Sequence, residues 1–166
     1  MNGSNGDVTV SVERCTLEKP KFSEEELRPQ GQQVLEFGGL RFDVAFRAIG
    51  GATLRVDGKV DNEWKEMLRF DDFIDVPHYH APADAEQVNF DRATLGEPLA
   101  WYISQIRDHL PEWLEKSGFA DVVPSVDMDD VVRNIDKVDD AMKACVPEGF
   151  VRVPGIGLQR VATVAS

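Results

Sequence analysis

The chain has 166 residues, of which 42% are hydrophobic and 29% charged, and its formal net charge at pH 7 is −12. This composition is ordinary for a globular protein and leaves room for one domain with its own core. The 30 acidic residues outnumber the 18 basic ones, and no Lys/Arg cluster offsets them. We therefore expect no nucleic-acid partner, because phosphate contacts dominate nucleic-acid affinity. No apolar run approaches the roughly 20 residues of a membrane span, and no secretory signal pattern is present, so we expect no membrane association and a cytoplasmic location.

The first half of the chain is predicted to be antiparallel β-structure. Valines alternate with polar residues in the stretch DVTVSVER, and a polar segment with a helical turn capped by Ser23 follows. Alternation then predicts further strands, whose residues on a shared face are Leu40, Phe42, Val44 and Phe46, then Leu54 and Val56, then Trp64, Leu68 and Phe70. The pairs Gly38-Gly39, Gly50-Gly51 and Asp57-Gly58 predict hairpin turns, and such short connections predict a meander.

The second half is predicted to contain two amphipathic helices. Their apolar stripes are Leu99, Ile103, Ile106, Leu110 and Trp113 in the first helix, and Val131, Ile135, Val138 and Met142 in the second. Pro111 should kink or restart the first helix and Gly118 should end it, while Ser125 or Asp127 should cap the second. FVRV is predicted to be a short strand after the second helix.

Strands followed by helices predict an α+β fold, with one antiparallel sheet and both helices packed on one of its faces. We expect a single domain over residues 1–166, with flexible tails at 1–7 and at about 155–166. An apolar helix stripe serves a core and an interface equally well, so a homodimer stays open.

Two of the three histidines lie in FIDVPHYHAP, residues 73–82. In extended backbone His78 and His80 point to one side and Tyr79 to the other, so one strand can offer two imidazoles to a divalent metal ion. A carboxylate would complete a 2-His-1-carboxylate set. The candidates for this third ligand are Asp71, Asp72, Asp75, Asp84 and Glu86. The metal-site hypothesis takes His78, His80 and Asp75.

Two other interpretations of the same stretch stay open. His78 continues an apolar face, where a histidine commonly serves as a core residue bonded to a carboxylate or a carbonyl group. A metal-free acid–base or small-molecule site is the second alternative, with His78, His80, Asp72, Tyr79 and Arg69 as the candidate catalytic residues. Asp71 and Asp72 are sequence neighbours and should point to opposite faces of a strand, as a solvated pair at its end.

The block LRFDDFIDVPHYHAP, with the glycine-turn strands before it, resembles a pattern in uncharacterised bacterial domains of unknown function. It is also loosely similar to small toxins of toxin–antitoxin pairs, in which an Arg-aromatic-Asp strand end precedes a Pro-His cluster. The matching positions are Arg69, Phe70, Asp71, Pro77, His78 and His80. The resemblance implies where a site would lie and implies no activity.

These observations predict a binding or interaction module with a site at the PHYH segment. The first alternative is a metal-dependent enzyme of hydrolase or oxygenase type that uses His78 and His80 with a nearby carboxylate. The second is a metal-free acid–base protein or a toxin–antitoxin-like component.

Overall fold

The computed structural model describes residues 23–24, 30–47, 50–146 and 149–161. Six antiparallel strands form one sheet in chain order, which confirms the predicted meander. The strands are β1 (Gln30–Phe37), β2 (Leu40–Arg47), β3 (Gly51–Val60), β4 (Glu63–Phe73), β5 (His78–His80) and β6 (Val88–Asn89). The predicted strand DVTVSVER, the residues of the helical turn after Glu24, and the termini 1–7 and 162–166 lie outside the described residues.

Three helices follow the sheet, and the two long ones are those that the sequence predicts. They are α1 (Arg92–Leu95), α2 (Pro98–Lys116) and α3 (Met128–Ala144), with a 3-10 helix (Ala120–Ser125) between α2 and α3. Glu97 caps α2 by accepting hydrogen bonds from the first backbone amides. His109 leaves helical geometry two residues before Pro111, as expected where a proline ring interrupts the hydrogen-bond ladder.

Both helices bury their predicted stripes against one face of the sheet. In α3 the buried residues include Val131, Ile135, Val138 and Met142, and Asp127 is the N-cap. In α2 the stripe shifts after the kink, so that Leu114 is fully buried and Trp113 only partly so. One continuous apolar cluster joins the helices to strands β2, β3 and β4. This arrangement confirms the predicted α+β architecture.

The turn between β3 and β4 lies four residues later than the sequence predicts. The prediction of a turn at Asp57-Gly58 is wrong, because β3 continues to Val60 and both residues lie inside it. Asp61 and Asn62 form the turn with φ of 52° and 63°, the left-handed geometry that suits a two-residue hairpin. Packing explains the glycine at position 58, because an added Cβ would lie 2.7 Å from the side chain of buried Met67.

A β-bulge in β4 changes the predicted face of Trp64. The pairing shifts at this point, so that Asp57 faces Glu66 and the next β3 residue back, Val56, faces Leu68. The extra residue reverses the alternation, as a bulge does. Trp64 therefore lies on the opposite face from Leu68, beneath the guanidinium of Arg41.

The chain returns after α3 as a hairpin of β7 (Phe150–Val153) and β8 (Gly157–Arg160). The predicted strand FVRV is thus confirmed. β8 falls within the stretch from 155 onward that the sequence assigns to a tail. Arg152 of β7 reaches the main sheet, where its Nη1 lies 2.7 Å from a carboxylate oxygen of Asp72. Among the helices that the structure describes, none combines the length and apolar character that a bilayer crossing needs.

The β1–β2 turn docks closely on the start of α3. Adding one methyl group to the turn at Gly38 should therefore lower the stability of the fold strongly. Gly38 has φ of 63°, and an added Cβ would lie 2.5 Å from the Val131 side chain and 2.9 Å from the Asp127 carbonyl oxygen. We expect Gly38→Ala to lower the free energy of unfolding by at least about 2 kcal/mol, from backbone strain plus overlap. Urea denaturation measures this change.

Gly118→Ala is the matched control for that measurement. Gly118 has φ of 88°, but an added Cβ would meet nothing within 4 Å. This variant should lose only about 1 kcal/mol, from backbone strain alone. Equal losses in the two variants would contradict the close docking of the turn on α3.

Candidate metal centre

Strand β4 sends its two neighbouring aspartates to opposite faces of the sheet, as the alternation predicts. Asp72 points to the helix side and pairs with Arg152, whereas Asp71 points to the other side, towards β5. The prediction that they form a solvated pair is wrong, since Asp71 is 3% exposed and Asp72 1%. Strands β3 and β5 flank both aspartates in the sheet, and Arg152 of the β7–β8 hairpin covers Asp72. Two buried carboxylates on one strand each need their own compensating partners.

Strand β5 places both histidines beside Asp71. Asp71 pairs directly with His78 in the sheet register, and Arg69 pairs with His80. The Nε2 atom of His78 lies 2.9 Å from Oδ2 of Asp71, and that of His80 lies 3.6 Å from the same oxygen. The three ligand atoms lie within 4.8 Å of one another. Within the residues that the structure describes, this is the one His/Cys/Asp/Glu group with metal-ligand spacing.

The other ring nitrogen of each histidine is committed to a backbone carbonyl group. Nδ1 of His78 lies 2.8 Å from the Val76 oxygen, and Nδ1 of His80 lies 2.8 Å from the Ala85 oxygen. A carbonyl oxygen only accepts, so each Nδ1 must carry the proton. In a neutral ring Nε2 then holds a bare lone pair, the form that binds metal, and a partner on the far nitrogen orients such ligands in metal sites.

Two hydroxyl groups hold Asp71 and its strand in place. The Thr53 hydroxyl on β3 donates to Oδ1 of Asp71 at 2.9 Å, which leaves Oδ2 to the histidines. Tyr102 of α2 is fully buried, and its hydroxyl oxygen lies 3.1 Å from the Asp71 backbone oxygen and 3.2 Å from that of His78. These contacts fix the spacing of β4 and β5 at the point where the three ligand atoms converge.

The electrostatics of the group follow from burial and from these hydrogen bonds. Burial alone would raise the pKa of Asp71, but hydrogen bonds from His78, His80 and Thr53 outweigh burial and hold the pKa well below its usual range. The hydrogen bond to Asp71 raises the pKa of His80 against the opposing effect of burial. A cationic His80 beside an ionised Asp71 is therefore one way to satisfy the site, and a metal ion is the other.

The remaining candidates lie around this group without joining it. Asp75 is exposed and pairs with Arg160 at 3.2 Å, so the structure brings Asp71, and not Asp75, to the two histidines. Asp72 lies across the sheet with Arg152, and Asp84 and Glu86 are exposed. Tyr79 points to the helix side, where its ring packs between Trp101 and Trp113. Arg69 shares the histidine side and is held by Glu66.

Sequence reasoning found both histidines and had Asp71 among five candidate carboxylates, but it missed Thr53 and Tyr102. The strand pairing that brings Thr53 opposite Asp71 depends on the β3–β4 turn, which was placed four residues early. Tyr102 lies off the predicted apolar stripe of α2, and nothing in its sequence context pointed to a strand 31 positions away.

The raised pKa of His80 predicts how the stability of metal-free protein depends on pH. The contact with Asp71 stabilises the folded state fully below the unfolded histidine pKa of about 6.5, and this stabilisation is lost as the pH rises through the higher folded pKa. Urea denaturation in EDTA should therefore show the unfolding free energy of wild type falling towards that of His80→Gln as the pH rises above about 6.5. A constant difference between the two proteins would contradict the raised pKa.

Comparison with known proteins gives a family for this chain. The model of a family described as "Domain of unknown function (DUF7700)" matches residues 34–142, a range that contains the strands of the site and most of both long helices. No curated protein and no solved structure matches the chain. Because the matched range covers more than half of the sequence, the chain belongs to the DUF7700 family, a domain of unknown function, in agreement with the resemblance of its LRFDDF…PHYH block.

Proposed function

We propose that this protein is a metal-dependent enzyme whose centre is one divalent transition-metal ion held by Asp71, His78 and His80. The observation that carries the proposal is the convergence of three lone-pair atoms on one point, with both imidazoles oriented by backbone carbonyl groups. Two imidazoles and a carboxylate suit zinc or iron, and such sets leave coordination positions open for water and substrate.

Two of the three distances between ligand atoms, those from Oδ2 of Asp71 to the two histidines, fit a metal ion. With metal–ligand bonds of about 2.1 Å, the separations of 2.9 Å and 3.6 Å correspond to bond angles of about 87° and about 118°. These angles bracket the octahedral and tetrahedral values. Thr53 and the two carbonyl groups would act as outer partners of the ligands, as they do for metal-binding histidines in general.

The site has one wetter side, which a reaction centre needs. The His80 side chain is 19% exposed, whereas those of His78 and Asp71 are 9% and 5% exposed. Substrate would approach from the His80 side. A bound divalent ion there would lower the pKa of a water ligand and polarise a substrate oxygen, or, as iron, support oxidation.

The same residues would also allow two other functions. An interaction module, such as a homodimer, would keep the histidines metal-free as a structural ion pair with Asp71. A metal-free acid–base site, or a toxin–antitoxin-like role, would use His80 as a proton carrier next to Asp71. Metal is favoured because both Nδ1 atoms are held by carbonyl groups, so that neutral histidines aim two Nε2 lone pairs at Oδ2 of Asp71.

Metal content decides between these functions. Tag-free protein purified without chelators and incubated with Zn²⁺ or Fe²⁺ should retain about one metal ion per chain, measured by mass spectrometry. The His78→Ala/His80→Ala double variant and the single variant Asp71→Asn should lose it, because two ligands or the only anionic ligand are removed.

Asp75→Asn is the matched control, since it removes one carboxylate four residues from Asp71 at a position that the structure pairs with Arg160. It should keep the full metal content. Protein that takes up no metal, or that keeps it in the Asp71→Asn variant, contradicts the proposal and directs the search to protein partners.

A further inference from the structure

The histidine side of the sheet carries a lattice of charged residues. We call this surface the outer face and define it by four rows of cross-strand neighbours. The rows are Arg41, Asp57 and Glu66; Asp43, Arg55, Arg69 and His80; Ala45, Thr53, Asp71 and His78; and Arg47, Gly51 and Phe73. The metal ligands thus lie at one edge of a surface that also presents four arginines.

Three of these arginines are held by carboxylates of the same face. Arg41 donates two hydrogen bonds to Asp57, at 3.0 Å and 2.8 Å. Arg69 donates two to Glu66, at 2.7 Å and 3.0 Å, and Arg55 lies 3.2 Å from the same carboxylate. Their charges are therefore used within the sheet.

Arg47 is different. In the part of the chain that the structure describes, its guanidinium makes no hydrogen bond or ion pair, and its Nε atom is buried without a partner. Burial is the main reason that the pKa of Arg47 is lowered; the positive charges of Arg69 and Arg55 act in the same direction, and the negative charge of Asp71 opposes them. Arg47 lies on the same face as Asp71, two strands away in the sheet and one row further along. It carries an unpaired buried donor that costs stability.

The side chains between Arg47 and Asp71 on the outer face are small. Ala45 follows Arg47 on the same face of β2, and Thr53 is its neighbour on β3, directly beside Asp71. Ala45 has no polar side-chain atom, and the Thr53 hydroxyl, which donates to Asp71, accepts no hydrogen bond from Arg47 in the described structure. In the row of Arg47 and the row of Asp71, no charged side chain therefore lies between the guanidinium and the metal ligands.

The charge balance of the outer face points to the kind of group that is missing. In strands β2 to β4 the four arginines are matched by the four carboxylates of Asp43, Asp57, Glu66 and Asp71, and Glu36 of β1 adds a fifth beside Arg41. A divalent ion bound by neutral histidines would add two positive charges and leave this surface with a net positive charge. An anion that reaches both the ion and Arg47 would restore the balance and satisfy the buried donor.

We propose that Arg47 binds an oxyanion of the substrate, a carboxylate or phosphate group of a small molecule, that takes a coordination position left free on the metal ion by Asp71, His78 and His80. This inference rests on the proposed metal centre and names the substrate class for it. Arg47 anchors the anionic group through its planar guanidinium, which matches both oxyanions in geometry.

Cobalt-substituted protein tests this inference, because the visible absorption of bound Co²⁺ reports on anions that enter its coordination sphere. Acetate and inorganic phosphate are titrated separately at constant ionic strength. We expect saturable spectral changes in wild type, and a dissociation constant at least about tenfold higher in Arg47→Gln, from the loss of charge-assisted hydrogen bonds. The tighter of the two probes identifies the class of oxyanion.

Three comparisons make the test specific. Arg107→Gln makes the same charge change on an exposed residue of α2 and should leave anion affinity unchanged. Arg47→Lys should recover part of the affinity. Arg47→Gln should also keep the melting temperature of metal-free protein, because the guanidinium makes no hydrogen bond or ion pair that the substitution would break.

The outcomes separate this inference from the proposed function. Cobalt bound at Asp71, His78 and His80 with equal anion affinity in wild type and Arg47→Gln overturns the role of Arg47 alone. Failure of wild type to bind cobalt overturns both proposals. A strong loss of melting temperature in metal-free Arg47→Gln assigns Arg47 to the fold and also overturns the inference.

Discussion

The buried carboxylate of Asp71 is the constraint on which the site depends. An ionised carboxylate that is withdrawn from water is costly unless charge and hydrogen bonds compensate it where it lies. Thr53 supplies one hydrogen bond, and the remaining oxygen faces two imidazole nitrogens. Because the far nitrogen of each ring is tied to a carbonyl group, neutral histidines would present only lone pairs to it. Compensation must therefore come from protons at low pH or from a cation.

Strand β4 places its two buried aspartates, and the charged residues that pair with them, on opposite faces of the sheet. Asp71 serves the outer face, and Asp72 turns to the helix side, where burial raises its pKa and Arg152 opposes that shift. The ion pair between Asp72 and Arg152 attaches the β7–β8 hairpin to the sheet. The bulge before Leu68 sets this division, since a one-residue slip in β4 would exchange the faces of the two aspartates. Local backbone geometry thus determines which carboxylate meets the histidines.

Periodicity was sufficient to predict most of the fold. The strand from Leu40, both helices, the kink at Pro111 and the cap at Asp127 follow from local patterns that the packing reinforces. Two of the errors, the turn at Asp57-Gly58 and the face of Trp64, come from one segment. There, Gly58 accommodates a neighbour and a bulge interrupts the alternation. Neither cause has a signature in a single sequence, because each is a contact with another strand.

The sequence predicted only part of the site, because the rest depends on how the strands pair. The spacing of His78 and His80 placed both imidazoles on one side of a strand, but the choice among five carboxylates depends on strand register. Register brings Asp71 opposite His78, while Asp75 lies beyond the end of β4. The unpaired state of Arg47 is likewise a property of the assembled sheet, since three other arginines of the same face find carboxylates.

Anomalous X-ray diffraction from crystals grown with Zn²⁺, recorded on both sides of the zinc absorption edge, would locate a metal ion at this site. We expect one peak per chain at about 2 Å from Oδ2 of Asp71 and from Nε2 of His78 and His80, with both Nδ1 atoms still bonded to their carbonyl groups. A peak only at other residues, with the histidines still in hydrogen-bond contact with Asp71, would contradict the proposed metal centre.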